Sequence, residues 1–369
     1  MTSATTVDPV RKDEPMSPRA IALVVALGVG LIFVVQLLSF NASTPRTVDA
    51  GGAWHPPSSR AEQLVAKMDG HAFAQIASDP LMRRTVDDFH GDVGAAAYRA
   101  SRPLPGWMFA VGSLGGQRVL LAPAMLVLTA VTIGWAIFSV DVLGRSLGLR
   151  VRYLGALVLT PAMVASIAYP GLGDPLAIAL SMTALAAWFR GRVWWAVGLF
   201  AASGLCRETA LLVPLGLALQ VIWERRSLRP ALPLALAPLP YVAWMAVVRA
   251  RIGAPDGGGQ LTAPFAGLLE VLPTWDAAEY LTVALLTAST VVIFWRGYGW
   301  MKTIAALNVA LATLMGPLVW FRWWGFGRVL TILPVLALVA LSRPTAENDD
   351  DDARGPVAVE SDVARAGRT

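Results

Sequence analysis

Residues Ala20–Phe40 read AIALVVALGVGLIFVVQLLSF, twenty-one residues without a charge. A helix needs about 20 apolar residues to cross a hydrocarbon layer roughly 30 Å thick, so this run is long enough to span. Arg11, Lys12 and Arg19 precede it. It is longer than the apolar core of a signal peptide and shows no small-residue cleavage site, which predicts an uncleaved first membrane helix.

The rest of the chain repeats the theme. Of 369 residues, 56% are hydrophobic and 15% charged, and the mean hydropathy is +0.57. Soluble domains carry about 45–50% and about 25%. Further apolar runs lie at about 119–140, 153–169, 175–189, 193–206, 209–222, 231–248, 278–295, 303–320 and 329–341. The expected fold is therefore all-α, a polytopic transmembrane helical bundle of about ten spans.

Its expected divisions are a cytoplasmic N-terminal tail over 1–19, a transmembrane domain over 20–343 and an acidic, disordered cytoplasmic tail over 344–369 containing Asp349–Asp352. Within the domain, 41–117 form a long first extracytoplasmic loop with short interfacial helices. The stretch 103–116 begins Pro-Leu-Pro, ends Gly-Gly and is expected to lie in the interface or re-enter. With that assignment, Arg145 to Arg152, Arg190 with Arg192, Arg225 to Arg229, Arg296 with Lys302, and Arg343 all fall on the side of the N-terminal tail. Short cytoplasmic loops are enriched in Lys and Arg, so that side is expected to be the cytoplasm.

The formal charge is +5, yet the basic residues sit singly or in small groups beside apolar runs. That argues for loop anchors facing membrane lipids and against a nucleic-acid binder. Cys206 is the single cysteine, so no intramolecular disulfide forms. His55, His71 and His90 lack the spacing of a zinc helix. No paired, similarly interrupted helices suggest a transporter repeat.

In the predicted orientation the ionisable residues outside the basic loops gather on the extracytoplasmic face, and such residues near membrane depth mark function by default. Asp69 and Gly70 open an amphipathic stretch ending at Asp79 and Pro80, with Asp87, Asp88 and Asp92 beyond. Asp69 suits a general base for a hydroxyl, or it caps the helix. Arg99 and Arg102 suit a phosphate, or they snorkel to the headgroups. Asp174, before Pro175, either caps a helix or orients a ligand or cation. Arg207 and Glu208 interrupt an apolar stretch and are satisfied by pairing with each other, or else by a ligand. Arg322 and Arg328 flank Trp323, Trp324 and Phe326, aromatics that fit an interface belt better than a sugar platform.

The order of these elements carries a resemblance. Asp69-Gly70-x-x-Phe73-x-x-Ile76-Ala77-x-Asp79-Pro80 is followed by Tyr98-Arg99-x-x-Arg102-Pro103-Leu104, Asp174-Pro175-Leu176-Ala177 and Arg207-Glu208-Thr209-Ala210-Leu211-Leu212. Over about residues 20–342 the chain resembles the bacterial multi-pass membrane glycosyltransferases of the GT-C superfamily, in particular the group that forms cell-surface glycopolymers. The resemblance implies an inverting transfer, outside the cytoplasmic membrane, of a sugar from a polyprenyl-phosphate donor to a glycan or glycolipid acceptor. By position Asp69 is then the catalytic base. Arg99, Arg102, Arg207 and Arg322 become candidates for the lipid phosphate, with Asp79, Asp174, Glu208 and Arg328 as further substrate contacts. A divalent cation, Mg or Mn, is an open requirement. The chain departs from the family pattern where an acidic pair is usual, since Asp69 and Asp79 are ten residues apart. The other classes are a flippase of lipid-linked sugars and a non-catalytic subunit of a wall-polymer complex.

Overall fold

The computed structural model describes residues 16–39, 59–83, 93–253 and 260–343. Outside them lie most of the N-terminal tail, the start of the first loop with His55, the stretch holding Asp87, Asp88, His90 and Asp92, and the acidic C-terminal tail. Among the described residues the structure is all-helical, with a single isolated bridge between Leu261 and Met315.

The first helix, α1 (Pro18–Ser39), presents Leu23, Leu27, Leu31 and Leu38 to the outside at 60–74% exposure. A soluble protein would not leave such a stripe open. The first loop supplies α2 (Arg60–Val65), α3 (Gly70–Ser78), α4 (Val93–Ala100) and α5 (Pro103–Gly112). At ten residues α5 is about 15 Å long, half the thickness of a bilayer core. It packs on α3 and carries Trp107, whose indole N–H donates to the Pro80 carbonyl at 2.9 Å.

The centre of the molecule is α6 (Arg118–Ser146), flanked by α1 on one side. A short 3₁₀ turn over Leu154–Leu159 then leads into α7 (Pro161–Ala168). Behind α6 packs α8 (Asp174–Phe189), almost wholly buried, and behind α8 packs α9 (Val193–Cys206). Completing the bundle are α10 (Leu212–Arg225), α11 (Leu239–Arg251), α12 (Ala266–Val271), α13 (Ala277–Arg296), α14 (Gly299–Leu314), α15 (Pro317–Trp320), α16 (Trp323–Val329) and α17 (Ile332–Leu341). Here α10 packs on α14, and α13 on α17. Phe73, Phe109, Met125, Ile133, Phe200 and Phe326 are among the largest fully buried side chains.

By length and composition, four helices suffice to cross a membrane: Pro18–Ser39, Arg118–Ser146, Arg229–Arg251 and Ala277–Arg296. Counting α16 and α17 as one span bent by 58° makes five. The sequence suggested about ten, and the difference lies in where apolar runs break. Run 153–169 is cut before Pro161, which has no N–H for the preceding turn. Run 303–320 stops at Leu314, where the chain turns extended, pairs with 261 and restarts at Pro317. Helices α8, α9 and α14 are regular but only 16, 14 and 16 residues long. That gives them about 21–24 Å each.

Candidate functional site

Three chain breaks position the site. The first is the turn before α3. Met68 occupies the left-handed region (φ 55°), an uncommon conformation for a non-glycine residue, and sets Asp69 at the head of the helix. A Cβ on Gly70 would lie 2.0 Å from the Val65 carbonyl and 3.2 Å from that of Pro170. Only glycine lets this turn lie against the second break, residues 170–173. There Gly171 takes φ 95° and donates its N–H to Thr129 Oγ1 of α6 at 3.0 Å. The third break is Arg207, fully extended (φ −159°, ψ 123°) between α9 and the short 3₁₀ turn Glu208–Leu211.

These breaks bring residues far apart in sequence into one ionic cluster. Arg328, on α16, is its hub: Nη2 donates to Asp69 Oδ2 at 3.0 Å and Nε to Asp174 Oδ2 at 2.7 Å. Arg207 Nη1 takes the other oxygen of Asp174. Arg102 makes a bidentate pair with Glu208, at 2.7 and 2.6 Å, and also donates to the Tyr98 hydroxyl. Arg99 Nε lies 3.7 Å from Asp69 Oδ1, and its Nη1 is 3.4 Å from His71 Nε2. A fork of parallel donors on a carboxylate is the strong form of this contact.

Two capping readings give way. Asp69 stands at the N-cap of α3 and Asp174 is the first residue of α8, yet neither side chain caps its helix; both turn to arginines. The expected Arg207–Glu208 pair gives way as well, because successive side chains of an extended chain point to opposite sides. Arg207 goes to Asp174 and Glu208 to Arg102. Nor does Arg102 snorkel: it is buried, with 5% of its side chain exposed.

Two of the sequence candidates stand elsewhere. Asp79 stands at the other end of α3, about 15 Å along the helix from Asp69, so the two do not form an acidic pair. Arg322 precedes α16 and lies over the Phe321 ring, 4.7 Å from its centroid. Of the aromatics read as an interface belt, Phe326 is fully buried, stacked on Trp275 at 5.5 Å and against Trp320 at 4.8 Å. It belongs to the core.

Exposure is graded across the cluster. Asp174, Arg328 and Arg207 have side chains 1%, 7% and 10% exposed, whereas Asp69 is 19% and Arg99 36% exposed. Its accessible edge is therefore Asp69 and Arg99 together with Glu208, whose side chain is 28% exposed. Burial pushes the Asp69 carboxyl up, but Arg328, then Arg102 and Arg99, outweigh it and hold the group well below its ordinary value. Four arginines face three carboxylates, leaving one positive charge. Among the described residues no group of three His, Cys, Asp or Glu side chains is placed to hold one metal ion. The carboxylates meet guanidinium rather than a ready ligand set for a divalent cation.

Sequence reasoning passed over Tyr98 as a site residue, although its ring also lies 4.2 Å from the Arg102 guanidinium carbon. Its place in the Tyr-Arg-x-x-Arg stretch, four residues before Arg102, was the available signal. Trp244 of α11 was also missed; its indole donates to the Ala100 carbonyl at 2.8 Å and its ring meets Trp107 edge-on at 5.0 Å. Together these contacts fix the end of α4 and hence Arg99 and Arg102. The chain matches no protein-family model, no curated protein and no solved structure, so the role of the cluster is read from its own geometry.

Proposed function

We propose that the protein is a membrane glycosyltransferase of GT-C type, moving a sugar from a polyprenyl-phosphate donor to a glycan or glycolipid acceptor on the extracytoplasmic side of the cell membrane. In this reading the shorter apolar helices join the long ones to make about ten spans, and both termini are cytoplasmic. The observation that carries it is the convergence of Asp69, Arg102, Asp174, Arg207, Glu208 and Arg328, drawn from positions up to 259 residues apart. Ionisable groups are costly among apolar helices, and a cluster gathered from so many elements marks a site.

Its charge suits the donor. A glycosyl phosphodiester carries about one negative charge, matching the one positive charge left over in the cluster, and guanidinium groups stabilise the phosphate as the sugar departs. Approach is from the accessible edge, where Arg99 and Asp69 lie. An incoming phosphate competes with Asp69 for Arg328 and Arg99. Once released, the carboxylate regains basicity and accepts the proton of the acceptor hydroxyl, which attacks the anomeric carbon on the face opposite the phosphate. A carboxylate clamped by arginines is a poor base, so the donor itself switches the base on.

Sugar transfer by the purified protein in lipid nanodiscs, from polyprenyl-phosphate sugars, tests this reading. Asp69→Asn is expected to lower transfer by about 10²–10⁴-fold while polyprenyl phosphate still binds. Transfer at the wild-type rate by this variant removes Asp69 as the base, and failure of the wild type to bind polyprenyl phosphate removes the transferase.

A further inference from the structure

On the inner side of the cluster, Asp174, Arg207 and Arg328 form part of the wall of a cavity of about 370 Å³, counting its open mouth. Asn308 of α14, Thr331 between α16 and α17, Thr209 and Ser181, whose hydroxyl is paired with Ser203 at 2.7 Å, complete its polar lining, and Ala177, Ile178, Val213 and Ile332 are among its apolar residues. Six buried side-chain polar atoms among the described residues have no hydrogen-bond partner, and three of the six belong to this lining: Arg207 Nε, Asn308 Oδ1 and Thr331 Oγ1. Their residues are 8%, 1% and 6% exposed. Buried polar atoms are almost always satisfied, so three around one cavity call for a ligand.

The chemistry of the three narrows what that ligand is. Arg207 Nε only donates, Thr331 Oγ1 donates or accepts, and Asn308 Oδ1, a carbonyl oxygen, only accepts; the Asn308 amide is oriented by the N–H it donates to the Ile304 carbonyl at 2.9 Å. A phosphate oxygen accepts but does not donate, and would leave Asn308 Oδ1 facing another acceptor. An apolar chain would satisfy none of them. A hydroxyl both donates and accepts, so two neighbouring hydroxyls satisfy all three. The innermost space holds about two water-sized groups.

We propose that this cavity is a hydroxyl-recognition subsite for the sugar carried by the lipid phosphate. This rests on the transferase reading. The phosphate stays at the arginines, the anomeric carbon sits at the mouth beside Arg328, and one hydroxyl edge of the sugar ring reaches inward. Ordered water is the rival occupant, and binding measurements separate the two.

The test compares the affinity of the full-length protein in nanodiscs for bare polyprenyl phosphate with that for the same lipid bearing a hexopyranose or a pentofuranose. The wild type is expected to prefer at least one sugar-bearing lipid by about tenfold, the usual effect of a buried hydrogen-bonding group left unpaired. Asn308→Leu and Thr331→Val remove one partner each at nearly constant volume. Each is expected to reduce that preference to less than about threefold while leaving the affinity for bare lipid unchanged. Thermal unfolding identifies a variant that fails to fold, and the other then carries the comparison. A preference that persists in a folded variant overturns the subsite. So does a wild type that binds bare and sugared lipids equally, which means the cavity holds water only. A wild type that binds neither lipid overturns the transferase reading and takes the subsite with it.

Discussion

Two buried aspartates meet arginine in this molecule, in very different ways. Asp141 pairs with Arg145 one turn further along α6, at 2.5 Å, with the aspartate side chain 4% exposed and the arginine 53%. The partners are neighbours by helix geometry and the arginine reaches solvent. Asp174 is 1% exposed and is held by Arg207 and Arg328, 33 and 154 residues away. Any α-helix supplies the first pair. The second exists only when α8, α9 and α16 have all assembled. A local pair neutralises its own helix, whereas a gathered cluster spends fold stability to place charge where a ligand needs it.

Removing the hub tests that contrast hardest. Arg328→Leu leaves Asp69 and Asp174 short of a partner, and a broken buried pair costs about 3–5 kcal/mol, so a large loss of thermal stability in detergent is expected. Arg145→Leu, which removes a guanidinium that is 53% exposed from a single carboxylate, is expected to cost less than Arg328→Leu. Equal losses would show that the cluster is no different in kind from the local pair.

Next in size is the effect on chemistry. Asp69→Asn is expected to lower sugar transfer by about 10²–10⁴-fold, the range for a general base, while Asp141→Asn leaves transfer within a few fold. Turnover measured in the same nanodiscs compares them.

A smaller effect is read from pH. The Asp69 carboxyl is held below its ordinary 3.8 in the free protein, so its pairing contributes stability above that value and loses it as pH falls through the lower folded value. Stability should therefore show no Asp69 step between pH 5 and 8. Because kcat/KM reports the free enzyme and kcat the donor complex, the acid limb of kcat is expected at higher pH than that of kcat/KM. Coincident limbs would mean that donor binding does not release the carboxylate.

Smallest is Trp244→Phe, which removes the hydrogen bond to Ala100 and costs about 1 kcal/mol. If the first loop is positioned through this contact, KM for the donor rises more than kcat falls.

The helical nature of the chain was legible in its apolar runs, and the ionisable residues that interrupt them stood out by their cost. Partner choice was not legible. Arg207 and Glu208 are adjacent, and only the extended backbone at Arg207 sends one to Asp174 and the other to Arg102. Asp69 and Asp174 begin helices, where a cap is the ordinary reading; the arginines that claim them arrive through tertiary packing. Length along the sequence also misled, because a run such as 153–169 is apolar throughout yet split by a 3₁₀ turn before Pro161. Asn308 and Thr331 were invisible: single small polar residues in apolar helices are common, and only the cavity distinguishes these two.

The 259 residues between Asp69 and Arg328 also set a clock. At a synthesis rate of about 5–20 residues per second, Asp69 leaves the ribosome roughly 10–50 s before the hub that neutralises it. During that interval Asp69 and Asp174 both lack Arg328. A nascent chain stalled before α16 therefore holds Asp69 with Arg99 and Asp174 with Arg207 alone, two separate pairs that become one cluster only when the last helices arrive.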